Sequence, residues 1–111
     1  MAFEAYVGHA GPTTTVYLAG ELTDEEVGRL RRLIEAALAR PMDRLVLRMA
    51  ELTSVTAGAV RCLAFAQQRL PAGADIVVDG AGEPVRRMLA AGGLDQCVTV
   101  VTGTLTAGKA A

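Results

Sequence analysis

The sequence predicts an α/β fold: a small mixed β-sheet with helices packed on it, in the order β-β-α-β-α-β-α-β. Three observations carry that expectation. Two β-rich runs, residues 3–7 and 13–18, flank His9-Ala10-Gly11-Pro12, which reads as a hairpin turn. Three further apolar runs, residues 44–49, 76–78 and 98–101, have strand length and alternate with segments of helical period. The connection from residue 18 to residue 44 has the length of a crossover between parallel strands, which is right-handed in almost all proteins.

Each element has a local reason. In the hairpin, alternation places Val16, Leu18 and Tyr6 on one buried face. A helix follows Gly20-Glu21-Leu22-Thr23, where Thr23 and Glu26 have the spacing of a capping box. Asp24, Glu25 and Glu26 then place acids at the positive end of the helix dipole. Val27, Leu30, Ile34, Ala37 and Leu38 recur at helical spacing, Arg29, Arg32, Glu35 and Ala36 form a solvated face, and Pro41 ends the run. Gly28 costs this helix about 1 kcal/mol relative to alanine. Leu45, Val46 and Leu47 are continuous, as in a central parallel strand covered on both faces. The second helix is expected from Ala57 to about Leu70, with Ala59, Leu63, Ala66 and Leu70 inward and Arg61, Gln68 and Arg69 outward; Pro71 and Gly73 close it. A third opens at Glu83-Pro84, proline suiting the first helical position, turns Val85, Met88 and Leu89 to one side and ends at Gly92-Gly93. Residues 102–111 are small and polar and read as a frayed tail. No linker or repeat divides residues 1–111, which are read as a single domain.

Composition removes several classes of function. With 51% hydrophobic residues the chain can bury its own core, yet no apolar run reaches the ~18 residues of a spanning helix. The net charge of -1 disfavours electrostatic capture of nucleic acid or anionic lipid. The N-terminus lacks a basic region followed by an apolar core, so the expected location is the cytoplasm. Cys62 and Cys97 have no CxxC or Cys/His spacing and are read as reduced core residues, with no metal or cofactor implied. His9 has no nearby Ser or Cys to activate and is read as a solvated loop residue. No acid/base pair or nucleophile with a base can be assembled, so no enzyme is expected. Arginine is abundant and Lys109 is the only lysine, a pattern that fits a GC-rich bacterial source.

One stretch stands apart: Leu52-Thr53-Ser54-Val55-Thr56-Ala57-Gly58-Ala59-Val60, where an apolar strand-like run gives way to an alanine-rich helix. With Thr56 as N-cap, the N–H groups of Ala57, Gly58 and Ala59 lie at the positive end of a helix, open to a phosphate, a carboxylate or a partner's side chain. Ala57 and Gly58 add almost no bulk. The Gly80-Ala81-Gly82 turn, by contrast, lacks GxGxxG or GKS/GKT spacing and reads as an ordinary βα turn.

Three segments in this order resemble the STAS domain, the fold of bacterial anti-sigma factor antagonists: Gly20-Glu21-Leu22-Thr23, residues 45–60, and Glu83-Pro84-Val85-Arg86-Arg87-Met88-Leu89 running into Gly93-Leu94-Asp95. In that family the junction reads roughly Asp-Ser-Ser-Gly-Leu or Asp-Ser-Thr-Gly-Leu. An anti-sigma factor that is also a serine-threonine kinase of the histidine-kinase-like ATPase type phosphorylates the hydroxyl residue before the glycine. Aligned without a gap, that acceptor falls on Gly58, and shifted by one it falls on Ala57; neither has a hydroxyl. Thr23 stands where the first motif usually ends in aspartate, and Asp24 follows directly.

The resemblance implies a non-enzymatic antagonist that binds such a kinase but is not phosphorylated at the usual position. It implies a partner-binding surface of Gly20, Glu21, Thr23, Asp24, Thr53, Ser54, Thr56, Ala57, Gly58 and Arg61. Ser54 and Thr56 are the substitute hydroxyls, although a strand-end residue and an N-cap have structural roles of their own. The resemblance extends to small STAS subunits seated on the ATPase of lipid-transport ABC complexes, which need no phosphoacceptor. Neither reading calls for a cofactor, nucleic acid or membrane insertion, and the apolar fraction is compatible with a homodimer.

Overall fold

The computed structural model describes residues 3–96 and 98–101 of the chain. β1 (Glu4–Ala10) and β2 (Thr13–Leu22) form the expected hairpin, antiparallel from Glu4 opposite Ala19 to Ala10 opposite Thr13. β1 runs through His9, so the turn narrows to Gly11 and Pro12, with Gly11 at a φ of 60° that glycine adopts without steric cost. His9 is therefore a strand residue and not a loop residue; its Nδ1 lies 3.1 Å from Thr14 Oγ1.

α1 (Val27–Leu38), β3 (Arg44–Val55), α2 (Ala57–Gln68), β4 (Asp75–Asp79), α3 (Glu83–Ala91) and β5 (Thr99–Val101) complete the predicted order. The sheet runs β1-β2-β3-β4-β5, and β2 to β5 pair in parallel. Each crossover advances one strand in the same direction, and right-handed crossovers of that kind place their helices on the same face. The packing agrees. Leu30 and Ile34 of α1, Leu63 and Ala66 of α2, and Val85 and Leu89 of α3 join Val16, Leu18, Leu45, Leu47, Ile76 and Val78 in one core.

This arrangement corrects two expectations about faces. The described helices cover only the Leu45 and Leu47 side of β3, whereas Val46 lies on the other side with Val77, buried but outside that core. Tyr6 is also absent from the buried set: it opposes Tyr17 on the outer face and is 59% exposed.

Boundaries shift where pairing overrides local sequence. β3 continues past Met49 to Val55 because β2 continues past Leu18 to Leu22, and the two pair along this extra length. Two register shifts, at Tyr17/Ala19 and Gly20/Glu21, insert extra residues in β3 as bulges. Thr53 and Ser54 thus lie within β3, and Gly20 and Glu21 within β2. The predicted capping box does not form. The Thr23 side chain makes no capping bond; the Glu26 N–H donates to the Thr23 carbonyl at 3.0 Å, closing a 3-10 turn over Asp24–Glu26 before α1. α2 stops at Gln68, leaving Leu70 half-buried beyond it. Cys97 and the tail at 102–111 lie outside the described residues. Among the described residues no helix is long and apolar enough to cross a membrane.

Candidate functional site

The extended pairing of β2 with β3 brings two strand-to-helix turns together at one end of the sheet. The Thr56 N–H donates to the Leu22 carbonyl at 3.1 Å, so the start of α2 is fastened to the end of β2. Thr56 is extended, with φ -86° and ψ 164°, and its Oγ1 accepts from the Ala59 N–H at 3.3 Å, as the sequence predicts for an N-cap. The same hydroxyl donates its proton to Asp24 Oδ1 at 2.7 Å. Asp24, expected to belong to the first turn of its own helix, instead reaches across to the N-terminus of another. A carboxylate there is favoured by the helix dipole.

Gly58 explains how the carboxylate fits. A Cβ built on Gly58 would stand 2.7 Å from Asp24 Oδ1 and 3.7 Å from Arg61 Nη2. The absent side chain leaves the space that the Asp24 carboxylate fills. What the sequence presents as an open anion site is thus occupied by the protein's own anion.

The structure gathers Asp24, Thr56, Gly58 and Arg61 into one cluster. Thr53 sits nearby, its hydroxyl donating to the Gly20 carbonyl at 3.0 Å. Gly20 is buried at a φ of 91°, so it shapes this face without presenting a surface. Glu21, Ser54, Ala57 and Arg61 are exposed, and Thr23 is half-buried. Of the hydroxyls, Thr53 and Thr56 are engaged; the Ser54 hydroxyl has no hydrogen bond among the described residues.

Next to this cluster lies a feature that sequence reasoning missed. Val27, Arg31, Gly58, Arg61, Cys62 and Phe65 line a groove of about 330 Å³ between α1 and α2. Phe65 is 47% exposed, and the guanidinium carbons of Arg31 and Arg69 lie 5.9 and 5.6 Å from its ring centre. The available signal was spacing: Phe65 is one helical turn beyond Arg61, on the outward face. Cys62 is half-buried at the floor, where burial pushes its thiol pKa up while Arg31 pulls it partly back and Glu35 adds to the rise.

The β4–α3 turn carries no comparable cluster. Gly82 is the N-cap of α3 and offers no side chain, Pro84 opens the helix, and the Arg86 N–H bonds the Gly82 carbonyl at 2.9 Å. Among the described residues no group of three His, Cys, Asp or Glu side chains is placed to hold a metal ion.

A family model described as "Mlab, STAS domain" matches residues 6–103. The chain belongs to the STAS domain family. Solved structures share its fold. An anti-sigma factor antagonist from Mycobacterium paratuberculosis matches with a TM-score of 0.87 at 20% identity, over 98% of this chain and 93% of that one. A putative anti-sigma factor antagonist from Thermotoga maritima matches with a TM-score of 0.79 at 15% identity, over 96% and 92%. The phosphorylated form of SpoIIAA, a Bacillus cell fate determinant, matches with a TM-score of 0.70 at 17% identity, over 99% and 100%. At these identities the likeness is one of fold. No curated protein matches the chain by sequence. The five-stranded mixed sheet with its helices is the STAS architecture, and the junction is a feature of this STAS domain at the C-terminal ends of β2 and β3.

Proposed function

We propose that this STAS domain is a non-enzymatic, cytoplasmic regulatory module of the anti-sigma factor antagonist type. Its partner is an anti-sigma factor that is also a serine-threonine kinase built on a histidine-kinase-like ATPase. The docking face is the junction: Asp24, Thr56, Ala57, Gly58 and Arg61, flanked by Glu21, Thr23, Thr53 and Ser54, with Gly20 beneath.

The observation that carries this reading is the Asp24 carboxylate seated on Thr56 beside Gly58. A phosphate added to such a surface brings about -1.5 to -2 charges and disrupts a packed complex by repulsion and desolvation. Here the position aligned with the family acceptor has no hydroxyl, and its space already holds a fixed carboxylate. Binding is then set by how much of the protein is present, with no phosphate switch at residues 57 or 58.

A second reading has its own support. The matching family model is described as Mlab, and a STAS subunit seated on a transporter ATPase needs no phosphoacceptor. One experiment separates the two. Used as bait in its native cell extract, the intact protein is expected to recover a kinase of the histidine-kinase-like type, and Gly58→Asp to weaken that capture. Recovery of transporter subunits alone would transfer the proposal to the second reading. Incubation of the complex with ATP is expected to leave residues 57 and 58 unmodified by mass spectrometry, whereas phosphate on Ser54 or Thr56 would show that the acceptor has moved.

A further inference from the structure

We infer that the groove between α1 and α2 receives an acidic segment of the partner protein, its carboxylates on Arg31 and Arg61 and an apolar side chain against Phe65. This inference rests on the junction being a docking face and names the chemistry that the partner brings to it.

Charge is the first argument. α2 contains no acidic residue, Glu35 is paired with Arg69 at 3.4 Å, and Asp24, which keeps its charge while accepting from Thr56 at 2.7 Å, offsets one of the two remaining arginines, Arg31 and Arg61. Among the described residues Arg31 and Arg61 have no carboxylate within ion-pair distance, and both are exposed. A chain of net charge -1 therefore presents a local excess of positive charge here. Shape and residue type are the second argument. Phe65 leaves almost half its surface in water at the edge of a groove of about 330 Å³, with Val27 on the facing helix. Arginine and aromatic side chains are the types enriched where protein partners bury their anchors, because a planar guanidinium stacks and pairs at once. Continuity is the third. Gly58 and Arg61 belong both to the groove and to the junction cluster, so a partner covering one reaches the other.

The test has two arms. A synthetic peptide with the core Glu-Leu-Leu-Glu, titrated into ¹⁵N-labelled protein, is expected to shift the amides of Gly58, Arg61, Cys62 and Phe65 saturably, and less so as salt rises. Arg61→Glu and Arg31→Glu, each with the amide spectrum of a folded protein, are expected to weaken that response about tenfold, a typical loss for a central interface residue. An equal response to Lys-Leu-Leu-Lys or to inorganic phosphate, or no shift at these amides, overturns the inference. In the second arm, the kinase recovered by the intact protein is expected to lose affinity to Arg61→Glu but not to Arg86→Glu on α3. If it binds both variants equally, the groove inference falls while the docking reading stands. If no kinase is recovered, the kinase reading falls, and the peptide arm alone decides the groove.

Discussion

α2 and α3 begin at the same end of the sheet, each just after a parallel strand, yet their first turns are built differently. At α2, a threonine cap holds the Ala59 N–H and hands its own proton to Asp24 from the β2–α1 turn, while Gly58 leaves room for that carboxylate. At α3, glycine caps without a side chain, and Gly80 before it takes a φ of 82° with its missing Cβ pressed 3.0 Å from that of Ala50. Both turns use glycine, for opposite reasons. Gly80 is required by the backbone, whereas Gly58 makes room for a neighbour's side chain. A helix N-terminus becomes a chemically distinctive place only when another element supplies a group to it.

The largest expected effect tests the backbone half of this contrast. Gly80→Ala combines left-handed strain with crowding against Ala50 and is expected to lower stability by roughly 2 kcal/mol in urea unfolding. A loss within about 0.5 kcal/mol, the range of an ordinary surface change, would mean that this turn relaxes freely. Next, Thr56→Ala removes the cap and is expected to cost about 1 kcal/mol.

The side-chain half is tested by a cycle. Gly58→Ala, in the first turn of α2, gains at most about 1 kcal/mol of helix propensity but drives Asp24 off Thr56, so alone it should come out near neutral. In an Asp24→Ala background the gain should appear, giving a coupling on the order of 0.5 to 1 kcal/mol. Strict additivity would show that Asp24 and Gly58 do not share space in solution. The smallest effect belongs to α3: Gly82→Ser supplies the missing cap and should stabilise by a few tenths of a kcal/mol.

Much of this molecule was legible from local pattern. The hairpin, the alternation of helices with strands, the Thr56 cap and the proline start of α3 are each specified by residues within a few positions of one another. The misreadings share a cause. Glu51, Thr53 and Ser54 look like the end of a strand because they are polar, but pairing with β2 carries β3 on to Val55. Thr23 and Glu26 have capping-box spacing, yet the turn closes through the Thr23 carbonyl instead. Phe65 was passed over because periodicity sorts residues into inward and outward sets and gives no meaning to an aromatic on the outward side.

The sequence by itself determined the element order, the buried helix faces and the absence of a hydroxyl at residues 57 and 58, since each is a property of composition or short-range period. Only the tertiary structure decided that the helices share one face of the sheet, that Asp24 fills the space beside Gly58, and that Arg31, Arg61 and Phe65 frame one groove. These depend on which strands pair and in what register. Asp24 and Thr56 lie 32 positions apart in the chain, and the β2–β3 pairing is what brings them within hydrogen-bonding distance.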